Sequence, residues 1–170
     1  MVHLQLLLTA LVFCLHPACS PGSPVPWSPD PELQHILQLL QQLQMIPSYQ
    51  CLDDRENFTF TIQKTEATSV KRLMLQQIFN IFTRDHPPAR DGQVLNELRS
   101  RLHQGLQRLQ MAREQNVSCL KAELSVRNYF KSLLSYLQRK RYSPCAWEIV
   151  RAEIHRSLSR ISQWHTEVSN

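Results

Sequence analysis

Five cysteines, seven histidines and one adjacent pair of carboxylates are the side chains of this 170-residue chain with reactive chemistry to offer. A cysteine thiolate is a nucleophile or a metal ligand, and two thiols in an oxidising compartment become a disulfide. Cys145 with His155 is the nucleophile–base pair that can be drawn, and a disulfide at Cys145 would remove the thiolate it needs. The histidines stand at 3, 16, 35, 86, 103, 155 and 165, and none pairs with another at metal-ligand spacing on one helix. Asp53 and Asp54 lie beside Arg55, where solvated charge accounts for them without the cleft that carboxylate catalysis requires. The sequence has no glycine-rich phosphate loop, no GxSxG elbow and no HExxH. The expectation is a protein that is not an enzyme, with no cofactor and no metal site. Cross-linking is what remains for the cysteines.

Whether they cross-link depends on the compartment. Residues 4–15 (LQLLLTALVFCL) are nearly all apolar, too short to span a bilayer, and placed where the apolar core of a signal peptide belongs. The preceding Met1-Val2-His3 lacks Lys and Arg, while Ala18 and Ser20 offer small residues for cleavage. Residues 1–21 are therefore read as a signal peptide and 22–170 as a single helical domain, secreted and extracellular. No later segment is long and apolar enough for a membrane span, so no stable membrane insertion is expected. Cys14 leaves with the leader. Cys51 follows the first helix and Cys145 opens the last, and a bridge between them would close a loop of about 95 residues, worth roughly 4–5 kcal/mol in the chain-entropy model. Cys19 and Cys119 form a second bridge only if cleavage leaves Cys19 in the product. Spacing alone leaves the connectivity open. In a secreted chain, Asn57-Phe58-Thr59 and Asn116-Val117-Ser118 are glycan acceptors, in stretches that read as loops or helix ends.

Helices must position these groups. Glycine is scarce, with Gly22, Gly92 and Gly105 alone, which argues against sandwiches and barrels. Asp30-Pro31-Glu32 starts a helix with a cap and a proline, and Leu33, Ile36, Leu37, Leu40 and Leu43 form its apolar stripe up to Pro47. Residues 47–68 show no sustained period and read as a long crossover. Ser69 is the expected cap of a second helix carrying Val70, Leu73, Met74, Ile78 and Phe82, stopped by His86-Pro87-Pro88. Asp91 caps a third, with Val94, Leu95, Leu98, Leu102, Leu106 and Leu109. Gly105 inside it costs about 1 kcal/mol relative to Ala, or lets a neighbouring helix approach closely. Leu120, Leu124, Tyr129, Phe130, Leu133, Leu134 and Leu137 mark a fourth. Ser143-Pro144 opens a fifth, with Trp147, Val150, Ile154, Leu158 and Ile161 on one stripe, and Arg151, Glu153, Arg156 and Arg160 facing water or a partner. The fold class is all-α: a five-helix cytokine bundle whose long crossover permits the up-up-down-down arrangement.

The net charge of +5 is uneven. Residues 1–85 carry five Lys/Arg against seven Asp/Glu, and residues 86–170 fourteen against seven, which suits an acidic partner such as a receptor or a polyanion. No nucleic-acid motif is present. A competing reading of the leucine stripes and basic faces is a secreted amphipathic lipid- or membrane-binding protein, which would have to open its core.

Four ordered blocks carry a family resemblance. YSPCAWEIVRAEI (142–154) resembles the signature of type I interferons, QQIFNIF (76–82) is similar to the family's second helix, CLDDRENF (51–58) to its first disulfide segment and VRNYF (126–130) to its fourth helix. The chain departs from the usual pattern in shorter connections at 58–71 and 109–126, and in having no cysteine at Ala112–Arg113, with Cys119 further on. This short, basic form most resembles the delta-like interferons of ungulate trophoblast. The resemblance implies a monomeric helical cytokine that binds a receptor of two unlike chains and acts through Janus kinases and STAT proteins, with antiviral and antiproliferative outcome. It implies contact with the high-affinity chain through Leu52, Arg55, Arg151, Ala152, Arg156 and Ser159, and with the low-affinity chain through Phe79, Asn80 and Arg127.

Overall fold

The computed structural model describes residues 30–63, 66–84, 87–88, 92–111 and 120–167. The expected signal peptide at 1–21, Cys19, Cys119, Asn116 and the expected cap Asp91 lie outside them. Within the described residues the chain is helical with no strand. It runs α1 (Pro31–Gln42), a 3₁₀ segment (Ser48–Asp54), α2 (Ala67–Arg84), α3 (Gly92–Met111), α4 (Leu120–Arg139) and α5 (Pro144–Glu167).

Two of the expected caps, Asp30 and Ser143, form. The Asp30 carboxylate accepts from the Glu32 and Leu33 N–H groups at 3.1 and 3.3 Å, and Pro31 fills a first-turn position where no N–H is missed. Ser143 Oγ accepts from Ala146 N–H at 3.2 Å at the head of α5. Ser69 does not cap α2, which begins at Ala67. The start is set upstream instead, where the Glu66 carboxylate accepts from Gln63 N–H at 2.8 Å, one half of a capping box.

Contacts between helix ends give the directions. Asp30 pairs with Lys71, so α1 and α2 begin at the same end and run parallel. Arg108, late in α3, reaches Glu32 at the start of α1, and Arg99 donates to the Phe82 carbonyl, so α3 opposes both. Gln34 meets Ser162 and Arg151 meets the Leu40 carbonyl, so α5 opposes α1. Helices α1, α2, α3 and α5 are thus up, up, down, down, and α4 returns alongside α5.

The stripes of α1 and α5 are buried as expected. Gly105 serves as a close-approach point, since a Cβ there would sit 3.3 Å from the Glu32 carboxylate and 3.5 Å from Leu75. Helix α4 corrects the sequence reading. Its core positions are Ala122, Val126, Tyr129, Phe130, Leu133, Tyr136 and Leu137, while Leu120 and Leu124 are 63% and 50% exposed. Counting back by three and four from Phe130 and Leu133 lands on Val126 and Ala122, so the two leucines fall on the outer face.

The crossover also has order. Phe58, Ile62 and, between them, Phe60 are half-buried, while Asn57, Thr59, Thr61 and Gln63 are exposed. Phe58 packs edge-on against Tyr136, Phe60 lies 4.7 Å from Tyr129, and Ser125 donates to the Thr61 carbonyl at 2.6 Å. The segment therefore runs down α4 with period-two alternation, opposite in direction to the helix.

Candidate receptor-contact surface

One end of the molecule gathers the 3₁₀ segment, the C-terminal end of α4 and the first half of α5. Helix α4 stops there in a Schellman turn: Tyr142 N–H donates to the Leu137 carbonyl at 2.8 Å and Arg141 N–H to that of Gln138 at 3.0 Å. Arg141 and Tyr142 have φ of 50° and 54°, the left-handed region that reverses the chain within a few residues and delivers Cys145 to its place. The Tyr142 ring rests against Trp147, with centroids 6.3 Å apart.

Cys145 is bonded to Cys51, with the Cα atoms 5.3 Å apart. Further ties surround the bridge. Tyr136 Oη donates to the Asp54 carbonyl at 2.8 Å, Lys140 pairs with the Asp54 carboxylate at 2.7 Å, and Arg139 pairs with Glu56 at 2.6 Å. Burial, together with the carboxylates of Asp54 and Glu56, pushes the Tyr136 phenol up to about 12, so it stays a donor at physiological pH.

Held in this way, Leu52 points outward at 53% exposure and Arg55 is exposed. On α5, Ala152, Arg156 and Ser159 are spaced by four and three, so they share one face that is not buried. Glu153 joins the two parts. Burial raises its pKa, and the charges of Arg156, Arg55 and Arg160 oppose the rise without cancelling it. Arg55, at the end of the 3₁₀ segment, therefore lies within electrostatic reach of a carboxylate on α5, and Arg156 closes on that carboxylate at 2.8 Å. Five of the six expected residues, Leu52, Arg55, Ala152, Arg156 and Ser159, thus offer accessible surface on two elements that pack together.

Arg151 does not join them, which corrects its expected outward placement. It is 8% exposed. Its Nε and Nη2 donate to the two Glu148 oxygens at 2.9 and 2.6 Å, and its Nη1 donates to the Leu40 carbonyl at 2.9 Å. The periodicity holds the reason: position 151 is four after Trp147 and seven before Leu158, on the edge of the buried stripe. Tyr49, which the sequence reading passed over, is the most exposed large apolar side chain described, at 69%. It stands three residues before Leu52, on the other side of the break in helical geometry at Cys51.

The second set lies elsewhere. Phe79 is half-buried with its ring 6.1 Å from that of His103, and Asn80 accepts from Gln76 Nε2 at 3.3 Å. Arg127 is exposed on α4, which packs directly against α2. Around it on the outer face of α4 lie Leu120, Leu124, Lys121 and Lys131, all exposed.

Among the described residues, no group of three His, Cys, Asp or Glu side chains could hold a metal ion, and no helix is long and apolar enough to cross a membrane. A cavity of about 250 Å³ lies between α1, α2 and α3, and its charged walls pair with one another, Asp30 with Lys71 and Glu32 with Arg108.

Comparison with known proteins matches this arrangement to one family. Residues 29–168 fit the interferon alpha/beta domain model. Interferon alpha-3 of Equus caballus is 37% identical over 171 aligned positions, covering 91% of this chain and 93% of that protein. Interferon alpha-7 of Homo sapiens is 38% identical, covering 91% and 90%. Among solved structures, zebrafish interferon 2 superposes with a TM-score of 0.67 at 23% identity, covering 78% of this chain and 96% of that one.

Proposed function

The chain belongs to the type I interferon family, and from that premise we propose that it is a secreted cytokine that engages a cell-surface receptor of two unlike chains. Engagement brings the two receptor chains together, activates Janus kinases and STAT proteins, and induces an antiviral and antiproliferative programme. The protein acts as a monomer, released after removal of residues 1–21. Its short connections and basic charge fit a delta-like subtype.

The observation that carries this reading is the composite surface around the Cys51–Cys145 bridge. Leu52, Arg55, Ala152, Arg156 and Ser159 form the site for the high-affinity chain, with Tyr49 at its edge. Phe79, Asn80 and Arg127 form the site for the low-affinity chain, and exposed Leu120 and Leu124 extend it along α4. An apolar centre ringed by arginines is the composition of an interface anchor rather than of a solvated face. Asn57 is exposed in its sequon and is an accessible glycan acceptor. A lipid-binding mode would need the leucine stripes to be free, and those of α1 and α5 are buried and cross-braced.

The decisive experiment is an interferon-response reporter in cells of the host species, with purified protein whose folding is verified by circular dichroism. Induction at nanomolar concentration is expected. A folded protein that induces nothing on cells responsive to another type I interferon overturns the proposal.

A further inference from the structure

We propose that Arg151 and Glu148 form a buried latch that sets the pose of the 3₁₀ segment, so that Arg151 serves receptor binding as a positioning residue and not as a contact. The inference rests on the receptor reading above. Its basis is how many elements one ion pair joins. Glu148 belongs to the first turns of α5, with 2% of its side chain exposed, against 10% for Arg151. Arg151 grips both Glu148 oxygens and also holds the Leu40 carbonyl near the end of α1. The same Glu148 Oε1 accepts from Ser48 Oγ at 2.8 Å, and Ser48 is the first residue of the 3₁₀ segment. A single guanidinium–carboxylate unit therefore fixes the exit of α1, the entry of the 3₁₀ segment and the head of α5 relative to one another.

The segment needs that third anchor. Its backbone departs from helical values at Cys51 (φ −110°, ψ 20°), which divides it into two short turns. The second turn is tied down by the Asp54 contacts and the junction by the disulfide. The first turn, carrying Tyr49, is tied through Ser48. Loss of the latch leaves the bridge as a pivot, and the turn carrying Tyr49 then loses its fixed orientation beside exposed Leu52. Affinity falls because the ordering cost moves into the binding step.

The latch cannot be tested by removing Arg151 alone, since an uncompensated buried Glu148 threatens the fold. Ser48→Ala is the mild variant, because it leaves the ion pair intact. Glu148→Gln, Arg151→Met and their double variant complete the set. Full-length secreted proteins would be measured by surface plasmon resonance against the separate extracellular parts of the high- and low-affinity receptor chains. Hydrogen exchange of the Gln50 amide, which bonds to the Pro47 carbonyl, is read in parallel.

Ser48→Ala is expected to weaken the high-affinity chain alone by roughly tenfold, a change that corresponds to about 1.4 kcal/mol, and to speed exchange at Gln50. The double variant should bind no more weakly than the worse single, because both remove one latch. Three results overturn the proposal. One is unchanged affinity in Ser48→Ala. Another is a loss from Arg151→Met that persists in full in the Glu148→Gln background, as a direct contact would give. The third is equal loss on both receptor chains, since that marks general destabilisation. Failure of the receptor reading looks different: the wild-type protein then binds neither chain.

Discussion

Arg55 is the residue on which the composite surface turns. A guanidinium presents a fork of donors that remains charged at any physiological pH. Here it is exposed at the end of the 3₁₀ segment, and its nearby acid, Glu153, is shared with Arg156 and Arg160. Three cations around one half-buried carboxylate leave net positive charge facing outward, ready for an acidic partner. Arg55→Ala is expected to cost on the order of 2 kcal/mol or more in binding to the high-affinity chain, as an interface anchor does, with little change in melting temperature. Titration of the variant against that chain checks this, and an unchanged dissociation constant removes Arg55 from the site. Arg151 shows the opposite case. It has the same side chain, but its hydrogen bonds are directed inward, and its 8% exposure offers a receptor almost nothing to touch.

At the scale of elements, α1 depends on its first residues. Burial alone would raise the Asp30 carboxyl, but the hydrogen bond and charge of Lys71, with the Leu33 and Glu32 amides, more than offset it and hold the pKa below 3.8. A depressed folded-state value means that the ionised form stabilises the fold. That stabilisation is fully present above the unfolded value near 3.8 and is lost as pH falls through the folded one. Asp30→Asn keeps a good cap but gives up the charge, leaving Lys71 without its partner. It should cost about 1.5–3 kcal/mol near neutrality, the worth of a hydrogen bond to a charged group, and the gap to wild type should close in strong acid. Urea unfolding of both proteins across pH 2–7 measures it, and a gap that persists undiminished in acid contradicts the assignment. Asp30 and Ser143 were legible because a side-chain cap and an adjacent proline are local signals. The α2 start was not, since the helix already begins at Ala67, upstream of Ser69, where Glu66 reaches back to Gln63. Leu120 and Leu124 misled because hydropathy marks what is apolar, whereas burial follows the phase fixed by Phe130 and Leu133. In the crossover, Phe58-x-Phe60-x-Ile62 carried a period of two, visible only once its support along α4 was known.

For the whole molecule, the Cys51–Cys145 bridge has two roles that can be separated. The residues it joins are 94 apart, so it constrains much of the unfolded chain, and the chain-entropy model sets its contribution at roughly 4–5 kcal/mol. It also clamps the 3₁₀ segment to the head of α5 on the face proposed for the high-affinity chain. The low-affinity face, around Phe79, Asn80 and Arg127 on α2 and α4, contains neither cysteine. Cys51→Ser with Cys145→Ser should therefore lower the urea midpoint, and also steepen the dependence on denaturant, because the uncrosslinked unfolded chain exposes more surface. At a temperature where the double variant remains folded, its affinity for the high-affinity chain should fall well below wild type while that for the low-affinity chain is retained. The ties at Asp54 and Glu56 persist without the bridge, so binding should weaken rather than vanish. Parallel loss on both faces would mean that the bridge acts on stability alone. A selective loss would show that the same covalent bond that stabilises the bundle also keeps the two parts of its receptor surface in register.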